Sequence, residues 1–206
     1  LGLDHDHDAL GFEAGLERVG DLGGEPLLDL RPAGVAVDQP GELRQAEWKD
    51  FDLAAAEWRY MVSKTKTEHI VPLSRQALAI IRELQKYSSD SPYVFPAATS
   101  KNRPMSNNAV LAAFRRMGIT GDEMTGHGWR ATARTILHEV LRFPVDIIEH
   151  QLAHIVKDPL GRAYNRTTHI EARQEMMQTW ADYLDELRAS PNPDLKALRE
   201  KYKYRG

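Results

Sequence analysis

One segment, residues 126–140 (GHGWRATARTILHEV), constrains the fold more than any other part of the sequence. Its apolar residues recur at the three- and four-residue spacing of one helix face: Trp129, Ala133, Ile136, Leu137 and Val140. His127, Arg130 and Arg134 fall on the other side, and the first two are three residues apart, so they project from one face. The segment therefore predicts an amphipathic helix that buries an apolar stripe and presents two phosphate-binding donors together.

Patterns on either side predict a small sheet among helices. Residues 57–73 read as a β-hairpin, because Trp58 and Tyr60 alternate with polar positions before the polar turn SKTKTE. Helices are predicted over residues 42–48, after Ser74, after Ser106 with Gly118 as its stop, after Pro144, and from about Glu171 to Leu187. The predicted fold class is α+β, mainly α, with helices around a small antiparallel sheet.

The two ends differ in composition from the middle. Residues 1–39 are rich in Gly, Asp and Leu without a helical or strand period, which predicts an atypical, poorly packed or disordered segment. Residues 191–206 read as a loosely attached basic tail, which leaves residues 40–190 as the folded domain. The chain does not begin with Met, and this suggests a fragment.

Composition excludes several classes of protein. The sequence contains no apolar run of about 18 residues, so no membrane span is predicted. The N-terminus does not resemble a signal peptide. The absence of cysteine excludes disulfides and thiolate metal sites and favours the cytoplasm. Residues 41–206 hold 25 basic and 21 acidic residues, a net charge of +4 that is compatible with phosphate contacts.

One alternative reading involves a metal ion. His150 and His154 are four residues apart, a spacing at which two histidines of a helix can bind one ion. A metal-dependent hydrolase of the zinc protease type would have glutamate at position 151 as its base, whereas this chain has Gln151. No third ligand follows at a suitable distance, so this alternative is the weaker one.

Six phrases, in order, carry a family resemblance: PGELRQAEW, HIVPLSRQAL, YVFP, MTGHGWRATART, IEHQLAH and GRAYNR. From about Pro40 to Arg188 the chain resembles the catalytic domain of tyrosine recombinases, and in particular the integrases of prophages and genomic islands. The resemblance implies that fold, and site-specific recombination of double-stranded DNA through a covalent 3′-phosphotyrosyl intermediate. It implies no metal and no cofactor, self-association on DNA, and DNA-bending accessory proteins.

The resemblance also assigns roles to individual residues. Tyr164 matches the nucleophile, and Arg130 matches an arginine that holds non-bridging phosphate oxygens. His127 would bond the phosphate or help to deprotonate the tyrosine, and His154 would bond a phosphate oxygen. Lys64 matches the lysine that protonates the leaving 5′-oxygen, with Lys66 as its rival.

The chain departs from the family pattern at one catalytic position. The family's first arginine lies three residues before an acid and nine before a tryptophan; Glu42 and Trp48 fix that slot at position 39, which holds Gln39. A glutamine carries no charge and cannot form the bidentate fork of an arginine. The resemblance thus implies impaired activity, or an inactive DNA-binding remnant.

The composition change near Asp38 suggests a frameshift or a misplaced start, and no N-terminal DNA-clamping domain is visible in residues 1–39.

Overall fold

The computed structural model describes residues 40–63, 65–116, 118, 120–121, 126–153, 169–190 and 192–206. For five residues inside these ranges only the backbone is described: Pro40, Val110, Phe114, Gly126 and His127. Residues 1–39 lie outside the described residues, so the expectations for that segment stay predictions.

The predicted hairpin is present and belongs to a small antiparallel sheet. Strands β1 (Phe51–Asp52), β2 (Glu57–Met61) and β3 (Glu68–Pro72) are adjacent in that order. Trp58 lies opposite Val71 and Tyr60 opposite His69, with both aromatic side chains buried. Strands β4 (Pro96–Ala97) and β5 (Ser100–Pro104) pair in a second antiparallel sheet. The alternation read from the sequence thus matches the buried face of β2.

The prediction of a helix over residues 42–48 is only partly correct. Helix α1 spans Pro40–Arg44, and a separate 3₁₀ turn spans Trp48–Asp50. Between them the backbone pairs with a distant segment: the Trp48 N–H donates to the Pro92 carbonyl at 2.9 Å, and the Val94 N–H to the Ala46 carbonyl at 2.9 Å. These long-range hydrogen bonds take the backbone groups that a continuous helix would use.

Helix α2 (Arg75–Ser88) covers one face of the larger sheet. Its predicted N-cap is confirmed, because the Ser74 hydroxyl accepts the Ala77 N–H at 3.2 Å. Ile81 is fully buried, and Leu78 and Leu84 pack at the edge of the same cluster. The buried members of this first core are Ala46, Trp58, Tyr60, Val62, Val71, Leu73, Ala77, Ile81 and Val94.

The C-terminal half contributes a second core, which is helical. Its most deeply buried residues include Leu137, Leu141, Phe143, Ile148, Leu152, Met176 and Met177. Helix α3 (Ala109–Arg116) ends before Gly118, whose φ of 78° agrees with the predicted stop. Helix α4 (Gly126–Thr135) continues as a π-helical turn (Ile136–Val140), and α5 (Val145–Gln151) and α6 (Ile170–Ala189) pack against it. Met176, Met177 and Trp180 of α6 are almost completely buried. Their apolar face is therefore part of this core.

The structure corrects the prediction of a loosely attached tail. Residues 192–206 contain helix α7 (Leu195–Tyr202), which begins where the Asp194 carboxylate accepts the Ala197 N–H at 3.0 Å. Leu198 is 9% exposed, and the Tyr204 N–H donates to the Leu141 carbonyl at 2.8 Å. The segment is basic, but its apolar side chains close the second core, and this contact holds it in place.

Polar contacts join α6 to the sheet half of the molecule. The Gln76 amide donates to Asp182 at 2.7 Å and to Asp185 at 2.9 Å, and the Arg75 N–H donates to the Gln178 side chain at 3.0 Å. Within the described ranges, no helix combines the length and apolar character needed to cross a membrane. The architecture is mainly helical with small antiparallel sheets, as predicted.

Candidate functional site

Arg130 lies in the middle of α4, and its side chain is buried. Trp129, Ala133, Ile136 and Leu137 face the second core, as the apolar stripe predicts. Arg134 is exposed and pairs with Glu149 of α5 at 2.6 Å, but Arg130 is only 9% exposed and donates to the carbonyl of Leu152. The polar side of α4 thus packs along α5, because these arginines reach that helix and the turn that follows it.

His127 lies in the first turn of α4, three residues before Arg130. The backbone of α4 is helical over both positions, so the expected shared face is consistent with the described helix. The side chain of His127 is outside the described part of the molecule.

The turn after α5 is held by hydrogen bonds from two other elements. The Leu152 N–H donates to the Ile148 carbonyl at 2.9 Å, and Ala153 adopts a left-handed conformation with φ of 52°. The carbonyls at a helix C-terminus lack intrahelical partners. Here the guanidinium of Arg130 donates to the Leu152 carbonyl, and Nε2 of His69 lies 3.2 Å from the Gln151 carbonyl. This turn leads directly into position 154.

His69 is a neutral imidazole in this environment. Burial, reinforced by the positive charge of Arg173, lowers its pKa from 6.5 to about 4. Because the Gln151 carbonyl can only accept, the ring proton must lie on Nε2, which then donates to it.

Arg173, near the start of α6, is 1% exposed. Its Nε donates to the Gln151 side-chain oxygen at 2.9 Å, and its terminal nitrogen donates to the Ile70 carbonyl of β3. Neither His69 nor Arg173 is among the site residues that the sequence predicts. A signal for Arg173 exists, however: it falls on the same helical stripe as Met176, Met177 and Trp180, where a charged residue is unexpected.

The hairpin turn that carries Lys64 is fixed at its start. The Glu42 carboxylate accepts the Ser63 N–H at 3.0 Å and the Ser63 hydroxyl at 3.1 Å. Lys66, the rival candidate, is exposed and has a φ of 54°. The contact therefore ties α1, which begins directly after position 39, to the residue that precedes Lys64.

His150 makes a ring contact and is not part of a described metal cluster. Its ring lies edge-on to His169, with centroids 5.3 Å apart, and His169 lies 3.4 Å from the Asp146 carboxylate. Burial, together with His169, lowers the pKa of His150. The described residues contain no group of three or more side chains that could hold a metal ion.

Several expected site residues lie outside the described residues: Gln39, Lys64, His154 and Tyr164. Their roles stay predictions. What the structure brings together is Arg130, His69 and Arg173, which all contact the turn at residues 151–153. This turn ends one residue before position 154 along the chain.

Comparisons with known proteins agree with the resemblance read from the sequence. Residues 40–169 match the phage integrase family. Prophage integrase IntA of Escherichia coli is 39% identical over 150 residues, which are 72% of this chain and 36% of that protein. The integrase of Enterobacteria phage P4 is 41% identical over 160 residues, again 36% of its length. The chain thus spans little more than a third of these relatives.

Solved structures support the fold. XerA recombinase superposes with a TM-score of 0.51 at 16% identity, covering 98% of this chain and 62% of that chain. A lambda integrase dimer bound to a COC′ core site gives a TM-score of 0.51 at 16% identity, covering 74% of this chain and 48% of that chain. The expected tyrosine recombinase fold is confirmed, and the chain belongs to the phage integrase family.

Proposed function

We propose that this chain carries the strand-cleavage chemistry of site-specific DNA recombination. The single observation that best supports the proposal is the position of Arg130 inside the region that matches the family. This arginine is buried, shares a helix face with position 127, and is bonded to the turn that leads into His154. A guanidinium fixed in this way is suited to two non-bridging oxygens of one phosphate.

The proposed step is an in-line displacement at phosphorus. The Tyr164 phenol oxygen attacks the scissile phosphate and forms the 3′-phosphotyrosyl bond while the bond from phosphorus to the 5′-oxygen breaks. His127 accepts the phenol proton or bonds the phosphate, and Lys64 supplies a proton to the leaving 5′-oxygen. Arg130 and His154 stabilise the charge that develops on the phosphate oxygens. Rejoining reverses the step with another 5′-hydroxyl, and no metal or cofactor takes part.

Double-stranded DNA is the proposed partner, and the cytoplasm the proposed compartment. One solved structure that shares the fold is a lambda integrase dimer bound to a core site, and this supports both DNA binding and self-association as proposals. The involvement of DNA-bending proteins is carried over from the family resemblance alone.

The direct test is a covalent adduct with DNA. The chain is incubated with nicked duplexes tiled over the DNA that flanks its reading frame, each labelled at the 5′ end of the strand to be cut. We expect a labelled adduct that survives denaturing electrophoresis and is digested by protease. Tyr164→Phe should abolish it, whereas Tyr87→Phe, at an exposed position of α2, should not. An adduct that persists in Tyr164→Phe would contradict the assignment.

The leaving-group acid can be identified with a modified substrate. Lys64→Met should slow cleavage of a normal phosphodiester but not of one whose bridging 5′-oxygen is replaced by sulfur, because a thiolate leaves without a proton. Lys66→Met is the matched control. If sulfur rescues Lys66→Met and not Lys64→Met, Lys66 is the residue that protonates the leaving oxygen, and the roles assigned to the two lysines must be exchanged.

Gln39 supports a second candidate, a DNA-binding protein without turnover. The loss of one transition-state donor lowers rates by on the order of 100- to 1,000-fold. If the chain is such a DNA-binding protein, the same duplexes bind in a gel-shift assay, but no labelled adduct forms on any of them.

A further inference from the structure

A buried arginine outside the expected catalytic set connects the elements that surround the site. Arg173 of α6 donates to the Gln151 side chain at the end of α5 and to the Ile70 carbonyl of β3. The next residue toward the turn, Leu152, offers its carbonyl to Arg130. Arg173 and Arg130 therefore hold two consecutive residues of the same turn, Gln151 and Leu152.

The surroundings of Arg173 argue against a role in stability alone. Its neighbours on the same stripe, Met176 and Met177, are fully buried and apolar. An apolar side chain would fill this position without the desolvation that a buried guanidinium suffers. The arginine offers what an apolar residue cannot, a planar set of donors that fixes two acceptors at once.

Gln151 shows the same pattern. It is completely buried, and its oxygen receives the Arg173 donor, while within the described residues its amide nitrogen has no hydrogen-bond partner. A buried amide with an unsatisfied donor is destabilising. The useful part of this side chain is therefore its oxygen, which accepts the Arg173 hydrogen bond and so joins the end of α5 to α6.

The turn itself needs such support. Ala153 is left-handed, with φ of 52°, a conformation that residues other than glycine keep only when their surroundings fix it. His69 holds the Gln151 carbonyl from β3, and Arg173 holds the Gln151 side chain from α6. These two contacts hold the residue next to Leu152, whose carbonyl accepts a hydrogen bond from the guanidinium of Arg130.

We infer that Arg173 is a positioning residue, which acts through Gln151 and the following turn to hold Arg130 in the orientation that binds a phosphate. The link to DNA cleavage rests on the proposed function, whereas the positioning of Arg130 can be measured without DNA. Arg173 itself touches neither substrate nor reacting atoms in this role.

The test uses the 206-residue chain with Arg173→Met and Gln151→Met, each of which removes one side of the bond. Arg188→Met is the matched control, because Arg188 lies on the same helix in an exposed pair with Asp185. Single-turnover cleavage at saturating nicked duplex is measured separately from the Kd for the duplex. We expect both variants to slow cleavage by about 10- to 100-fold with the Kd unchanged. Arg173→Lys should recover part of the rate, because one ammonium cannot reproduce the two-armed contact.

A second readout does not depend on cleavage. The Nε–H resonance of Arg130, assigned by comparison with Arg130→Lys, should shift or broaden in Arg173→Met and Gln151→Met but not in Arg188→Met. In the double variant the effect should not exceed that of either single variant, since both remove the same bond. If Arg173→Met does not fold, Gln151→Met carries the comparison.

The outcomes separate the two proposals. An unchanged cleavage rate and an unchanged Arg130 resonance in both variants would overturn the inference about Arg173. If the unaltered chain forms no adduct on any duplex, the proposed function fails and the Arg130 resonance alone decides the inference. A rate loss that comes entirely from weaker DNA binding would also overturn it.

Discussion

The neutral state of His69 predicts a specific dependence of stability on pH. Its pKa is lowered to about 4 in the folded protein by burial and by Arg173, whereas the ordinary value is 6.5. Between these two values the unfolded chain binds the proton more readily than the folded protein does. Stability from this group is therefore complete above pH 6.5 and falls as the pH is lowered toward 4.

The expected magnitude follows from the same two values. Each pH unit inside this window changes the free energy of unfolding by about 1.4 kcal/mol for one group, so His69 accounts for about 3 kcal/mol between pH 7 and pH 4. That loss is a considerable fraction of the total stability of an ordinary domain, which is about 5–15 kcal/mol. The protonated ring would also lie beside the charge of Arg173, which lowers the pKa further than burial alone.

Urea unfolding at several pH values between 7 and 4 measures this effect. Carboxylates also titrate near the lower end, so the informative quantity is the difference between the unaltered chain and variants that cannot titrate at position 69. His69→Phe keeps an aromatic ring and His69→Gln keeps a donor for the Gln151 carbonyl; both should lose the same part of the pH dependence. If both variants lose stability with falling pH as steeply as the unaltered chain, His69 is not buried as a neutral ring.

Two further predictions concern the catalytic slot and the C-terminal helix. Gln39→Arg should raise the rate of adduct formation by on the order of 100-fold or more, because it restores a charged two-armed donor to the phosphate, and an unchanged rate would show that position 39 is not the arginine slot. Leu198→Ala should lower the free energy of unfolding by about 2–3 kcal/mol, as expected for a leucine that is 9% exposed, with the exposed Lys196→Ala of the same helix as control. If both variants in α7 unfold at the same urea concentration as the unaltered chain, the tail is not part of the core.

The predictions from sequence were accurate where neighbours along the chain determine the structure. The alternation in β2 and the Ser74 cap are local patterns, and the structure confirms both. The apolar stripe of α4 is equally local, because a residue three or four positions away lies on the same helix face. Membership of the phage integrase family likewise followed from the order of short phrases along the chain.

The errors occurred where a distant segment competes for the same backbone or surface. The helix expected over residues 42–48 is broken because Ala46 and Trp48 pair with the segment around Tyr93. The tail reads as polar and basic, and only its contact with Leu141 and Phe143 shows that it closes the core. Neither contact leaves a periodic signal in the residues that make it.

The sequence by itself thus determined the hairpin and most of the helices, the family, and the residue types available for phosphate chemistry. Only the tertiary structure decided how those residues are held. Arg130 binds a carbonyl 22 residues away, and Arg173 reaches a strand 103 residues away. Such contacts depend on how helices pack against one another and on which polar groups are buried together. Spacing along a single chain records the face of a helix on which a residue lies, but not the partner that this face will meet.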